Sequence, residues 1–184
     1  MSKTCSTPNK SKFLNSEDNS KSYKERKHFV EESLKEEKEF RENLKKIQHF
    51  ISGEQSNALQ DIFKGEESEY AQDIVKTLSG IIENMPKSYE TEETDTPDKI
   101  VHLHYFLGGS DYYIIEKDKG SPDDVLKGIQ QQAYGYAILN GDLINAEWGY
   151  ISIAELIENN VELDLHWEPI KFCELKKGRI NFFR

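Results

Sequence analysis

An α+β fold is what this sequence predicts: a helical N-terminal layer attached to an antiparallel sheet of about four to six strands, with one or two helices on one face. Two observations carry that reading. Apolar residues recur at three- and four-residue steps up to Pro86, and beyond residue 99 the period falls to two, with glycine-bearing turns between the runs. The 184 residues suffice for one core-bearing domain plus an appendage. With 36% hydrophobic and 32% charged residues, part of the chain is expected to stay solvated.

Residues 1–20, MSKTCSTPNKSKFLNSEDNS, offer almost nothing to bury and are expected to form a disordered tail. A helical region, 21–86, follows. Phe29, Val30, Leu34, Phe40, Leu44, Ile47, Phe50 and Ile51 place a long amphipathic helix over 22–52, supported by Glu31/Lys35, Glu37/Arg41 and Glu42/Lys46 at the i,i+4 spacing. Its apolar spacing drifts from strict heptads, which argues against an extended coiled coil. A shorter helix is expected over 54–64, broken by Gly65. A third carries Tyr70, Ile74, Leu78, Ile81, Ile82 and Met85 on one face and stops at Pro86, whose ring cannot continue the hydrogen-bond ladder.

Residues 87–98, KSYETEETDTPD, read as an acidic linker, and 99–184 as the α+β domain. Ile100–Phe106 and Tyr112–Lys117 are expected to pair as a hairpin through Gly108-Gly109-Ser110. Ser121-Pro122-Asp123-Asp124 has the residues of a helix start, giving a short helix to about 130. A second hairpin, 133–139 with 143–150, is expected around Asn140-Gly141, a dipeptide suited to a type I′ turn. Ser152 and Glu155 form a capping box opening a helix to about Glu158, and VELDLHWEPIKF returns as a strand interrupted at Pro169.

Four stretches, VHLHYFLGGSDYYIIEKD, QAYGYAILNGD, AEWGYISIAEL and VELDLHWEPIKFCEL, together resemble a family of small domain-of-unknown-function proteins from conjugative plasmids, integrative elements and phages, over residues 99–176. The N-terminal half lies outside the resemblance. Tyr112-Tyr113 stand where family members usually carry a tryptophan, and 119–130 look like an insertion. The resemblance implies a mobile-element setting in a bacterial host and supplies no reaction.

Charge narrows the function classes. The net charge is -10, and its distribution is uneven: residues 1–52 carry 12 Lys/Arg against 9 Asp/Glu, 53–98 carry 3 against 12, and 99–184 carry 9 against 13. The acid therefore concentrates in the middle segment, which repels nucleic-acid backbones and suits a cationic groove. Cys5 and Cys173 lack CxxC spacing, residue 1 is not followed by an apolar stretch suited to a signal peptide, and no apolar run is long enough for a membrane span; a cytoplasmic protein is expected.

Three functions compete. The first is a binding module, a small acidic accessory protein that inhibits a host defence nuclease, an anti-CRISPR or anti-restriction protein. Its contact residues would be Glu66, Glu67, Glu69, Glu92 and Glu93, its partner the defence effector or its nucleic-acid complex, with no membrane and no small-molecule cofactor. The second is a metal-assisted hydrolase. His102 and His104 would share a strand face, and a three-residue loop would set His102 opposite Glu116, with Glu147 or His166 completing a ligand set. The third is a nucleic-acid binder using Lys24, Arg26, Lys27, Lys35, Lys45 and Lys46 of the long helix.

The sequence favours binding over catalysis. It contains no HExxH and no clustered Cys/His spacing, and Glu155 is already occupied as a cap partner, leaving Glu116, Glu147 and Asp164 as scattered carboxylates. The sheet aromatics Tyr105, Phe106, Tyr112, Tyr113, Tyr134, Tyr136, Trp148, Tyr150 and Trp167 are expected to pack in the core, because an aromatic platform for bases comes with Lys/Arg and residues 99–150 hold four against seven acids. Gly108-Gly109 serves a turn, as no GKS/GKT follows it.

Overall fold

The computed structural model of the chain describes residues 16–120 and 128–178. Three helices come first, α1 (Ser16–Ile47), α2 (Gly53–Lys64) and α3 (Ser68–Asn84), then a 3-10 turn (Thr96–Asp98). The strands follow as β1 (Ile100–Val101), β2 (Leu103–Leu107), β3 (Ser110–Glu116), β4 (Ala133–Ile138) and β5 (Glu147–Ile151). After α4 (Ile153–Glu158) come β6 (Glu162–Leu163), β7 (Ile170–Lys171) and α5 (Phe172–Gly178). Five strands form an antiparallel sheet in the order β5-β4-β3-β2-β6, and β1 pairs separately with β7, so the fold is α+β.

The chain divides into two compact units at Glu39/Phe40. In the first, the stretch of α1 up to Glu39 exposes Phe29, Val30 and Leu34, and Lys27 pairs with Glu31 at 3.8 Å. The second unit holds the core. Alternation along each strand sends Leu103, Tyr105 and Ile114 into a cluster with Ile47, Leu59, Val75, Leu78 and Ile153. The intervening Tyr113 and Ile115 join Tyr136, Ile138, Phe172 and Leu175 on the other face. Each fully buried aliphatic or aromatic side chain contributes roughly 1.5–3 kcal/mol. Tyr105 also donates its hydroxyl to the Phe50 carbonyl at 2.7 Å, fastening the loop after α1 to the sheet.

Several boundaries differ from the sequence reading. The first helix ends at Ile47 rather than near 52, because Ser52 is used as the N-cap of α2, its hydroxyl accepting from the Gln55 amide at 3.1 Å. Asn140 and Gly141 do take positive φ (52° and 72°), yet they open a longer loop. The Asp142 carboxylate accepts from the Ile144 and Asn145 amides, and β5 begins only at Glu147. The last strand breaks at Asp164, ahead of Pro169: its carboxylate accepts from the His166 amide at 3.1 Å, the chain turns, and β7 joins the small sheet. The helix expected over 121–130 falls mostly on residues outside those described; residues 128–130 are not helical. Of the tail expected over 1–20, residues 1–15 lie outside the described residues, and 16–20 belong to α1, which begins at Ser16 rather than near 22. Among the described residues no helix is long and apolar enough to cross a membrane.

Candidate functional site

The site grows from one irregularity in β3. Ile114 pairs with Gly135 and Glu116 with Tyr134, so Ile115 is an extra residue, a bulge that re-aims the end of the strand. Gly135 permits this approach: a Cβ there would lie 2.3 Å from the Tyr113 carbonyl oxygen. Past the bulge, Glu116 is buried and Lys117 turns back to the helices, donating to the Ile82 and Glu83 carbonyls at 2.5 and 3.1 Å. A cation there answers the partial negative charge of the α3 C-terminus. Burial first, and the Lys87 charge second, lower the Lys117 pKa, offset in part by Glu90 and Glu83.

Glu116 holds the acidic segment 87–98 against the sheet. Its Oε2 accepts from the Tyr89 amide at 2.8 Å, and its Oε1 accepts from the Thr91 amide at 2.8 Å and the Thr91 hydroxyl at 2.5 Å. Tyr89 takes φ of 77° to present its amide, a left-handed conformation uncommon for a side chain of this size. Buried Lys99 donates to the Thr91 carbonyl and to Thr91 Oγ1 at 3.0 Å, so Thr91 bridges a buried carboxylate and a buried ammonium. The segment is thus a strap pinned at its first half, with Glu92, Glu93 and Asp95 exposed.

Beneath the strap lies a cavity of about 440 Å³, lined by Tyr89, Tyr134 and Tyr150, by Glu92, Asp95 and Glu116, and by Lys99 and the threonines 94 and 96. The Tyr134 and Tyr150 rings meet at 67° with centroids 5.9 Å apart, and Tyr89 meets Tyr150 at 69° and 6.3 Å. The hydrogen-bonded Tyr89 phenol pushes Tyr150 up to about 12, with burial next and the Glu116 and Glu92 charges adding. Tyr134 is raised by burial and then by Glu116.

His104 makes a second buried cluster on the same hairpin. Its ring stacks on Tyr113 at 4.8 Å and lies 5.0 Å from the Trp167 ring, while Nε2 sits 2.8 Å from Asp111 and Nδ1 3.5 Å from Asp164. Trp167 donates to the Val101 carbonyl at 3.1 Å. These contacts make His104 a packed member of the core with polar satisfaction at both ring nitrogens.

The structure does not assemble the hydrolase set. The hairpin turn is the two residues Gly108-Gly109, Leu107 pairing with Ser110 and Leu103 with Ile114, one residue out of the register that would oppose His102 to Glu116. His102 falls between β1 and β2, where burial first and Lys117 second lower its pKa; its backbone amide donates to Ile114. Glu116 faces the strap and His104 faces Asp111 and Asp164, while His166 meets the Tyr70 hydroxyl at 3.0 Å and Glu147 and Glu155 are exposed. Among the described residues no group of three or more His, Cys, Asp or Glu is placed to hold a metal ion.

The five glutamates are all exposed, but they form two groups. Glu66, Glu67 and Glu69 surround the start of α3, whereas Glu92 and Glu93 belong to the strap, which leaves from its other end; 17 residues of helix span about 25 Å. Of the basic residues, Lys46 pairs with Glu83 at 2.8 Å. Phe106 and Tyr150, expected in the core, are exposed. The residues that sequence reasoning missed are Tyr89, Thr91 and Lys99. Their signal was the threonine-acid alternation ending in a lone lysine before a strand, read as a linker. No family model, no curated protein and no solved structure matches the chain.

Proposed function

We propose that this protein is a binding module rather than an enzyme: an acidic accessory protein that docks its strap on a cationic surface of a nucleic-acid-handling defence enzyme, a CRISPR effector or restriction system, and inhibits it. The mobile-element resemblance of residues 99–176 supplies the setting. The observation that carries the mode of action is the pinned strap, which presents Glu92, Glu93 and Asp95 beside the cavity; among the described residues none of the three is held in an ion pair. Ordered, unneutralised carboxylates steer association with a basic partner and substitute for phosphates in its groove.

The engagement of Glu116 and Lys99 with the strap supports binding over chemistry. The carboxylate accepts three hydrogen bonds from the strap and Lys99 donates to Thr91, so both groups are engaged in holding the strap. The test is a plasmid-interference assay in cells carrying a defence system matched to the source organism. Two variants are compared, Glu92→Lys with Glu93→Lys on the strap, and Glu66→Lys, Glu67→Lys and Glu69→Lys at the α2–α3 turn. Both keep the parent circular dichroism, the positions being exposed. Inhibition falls most with the strap variant, mainly through slower association. Full protection by both variants overturns the electrostatic mechanism, and no protection by the parent against any system overturns the inhibitor reading.

A further inference from the structure

We propose that the cavity beneath the strap is a socket for an arginine side chain presented by the basic partner, an inference that rests on the docking reading above. Three features of the cavity specify a flat cation. Its tyrosine rings stand at steep angles to one another, 67° and 69°, forming walls whose faces carry the negative end of the aromatic quadrupole. Its lining carries three carboxylates, Glu92, Asp95 and Glu116, against one ammonium, Lys99, and is therefore acidic. That ammonium is turned to Thr91.

One of the three tyrosines, Tyr89, already holds a cation of the chain itself. The Lys119 ammonium lies 4.6 Å from the centroid of the Tyr89 ring. The Tyr134 phenol is raised first by burial and that of Tyr150 first by its Tyr89 hydrogen bond, and the Glu116 charge adds to both.

Arginine fits better than lysine. A guanidinium stacks flat on one ring while its edge N–H groups reach carboxylates, and it is more weakly hydrated than an ammonium, so less hydration is lost on entry. With Glu116 buried and already accepting three hydrogen bonds from the strap, the exposed acceptors for those N–H groups are Glu92 and Asp95. The volume of about 440 Å³ exceeds one guanidinium and admits flanking backbone. Phosphate-bearing ligands are repelled by the same three carboxylates.

The experiment titrates the whole chain with acetyl-Gly-Arg-Gly-amide and with its lysine and citrulline counterparts, following the ring signals of Tyr134 and Tyr150 and the amides of Thr94 and Thr96 by NMR. The arginine peptide gives saturable shifts at these positions, the lysine peptide binds more weakly, and the citrulline peptide, isosteric but neutral, gives none. Glu92→Gln with Asp95→Asn weakens the arginine peptide about tenfold, and Tyr134→Leu does the same by removing a wall. Should the tyrosine variant fail to fold, the exposed lip variant carries the test alone. Equal shifts with citrulline, or unmoved Tyr134 and Tyr150 signals at millimolar arginine peptide, overturn the socket. The outcomes separate from the docking reading. Inhibition abolished by strap reversal with no peptide binding leaves docking standing without the socket; peptide binding without inhibition of any defence system leaves the socket without that partner.

Discussion

Glu116 and His104 lie on one hairpin, each with 3% of its surface exposed, and they are held in opposite ways. His104 is enclosed by side chains: Tyr113 and Trp167 against its faces and two partly exposed carboxylates at its nitrogens. Glu116 is enclosed by the backbone of a distant segment, accepting the Tyr89 and Thr91 amides. The first arrangement finishes a core. The second fixes an exposed acidic segment in space and so makes a surface, which is why the carboxylate and not the histidine stands behind the proposed function.

Substitutions should separate the two. Glu116→Ala removes the acceptor of the Tyr89 and Thr91 amides and of the Thr91 hydroxyl, and is expected to cost about 3–5 kcal/mol in chemical unfolding. His104→Ala removes a stacked ring and leaves a void, while Asp111 and Asp164 recover their water; a smaller loss, roughly 2–3 kcal/mol, is expected. A histidine loss equal to or above the glutamate loss would invert the comparison.

The fold class was legible because it rests on periodicity, and the elements that failed were those decided by single side chains. Ser52 moved a helix end, Asp142 delayed β5, and Asp164 split the last strand. The candidate site was half legible. Glu116 was singled out from the sequence, but with the histidines as partners, because its true partners lie some 25 residues upstream in a stretch whose composition reads as a tether. A bulge and a two-residue turn decided between the alternatives, and both shift register by one residue, a difference that residue type alone does not encode.

The smallest effect concerns proton binding in the cavity. The Tyr89 hydrogen bond first, then partial desolvation, push the Tyr150 phenol up to about 12, so its phenolate absorbance should rise late in an alkaline titration. A raised phenol favours the folded state while neutral, a contribution present below about 10 and lost as pH climbs through about 12. Glu116→Gln should lower this midpoint in part, since Tyr89 is the larger cause, and His104→Ala should leave it in place.

The most direct test of the Glu116 anchor is amide hydrogen exchange on the Glu116→Gln variant. The new amide replaces one accepting oxygen by a donor, so at least one strap amide loses its partner. Exchange at Tyr89 or Thr91 is expected to accelerate, while the Asp164 amide, bonded to the His104 carbonyl at 2.8 Å, keeps its parent rate. Parent rates at both strap amides, or acceleration of Asp164 together with them, would contradict a strap held locally by this carboxylate.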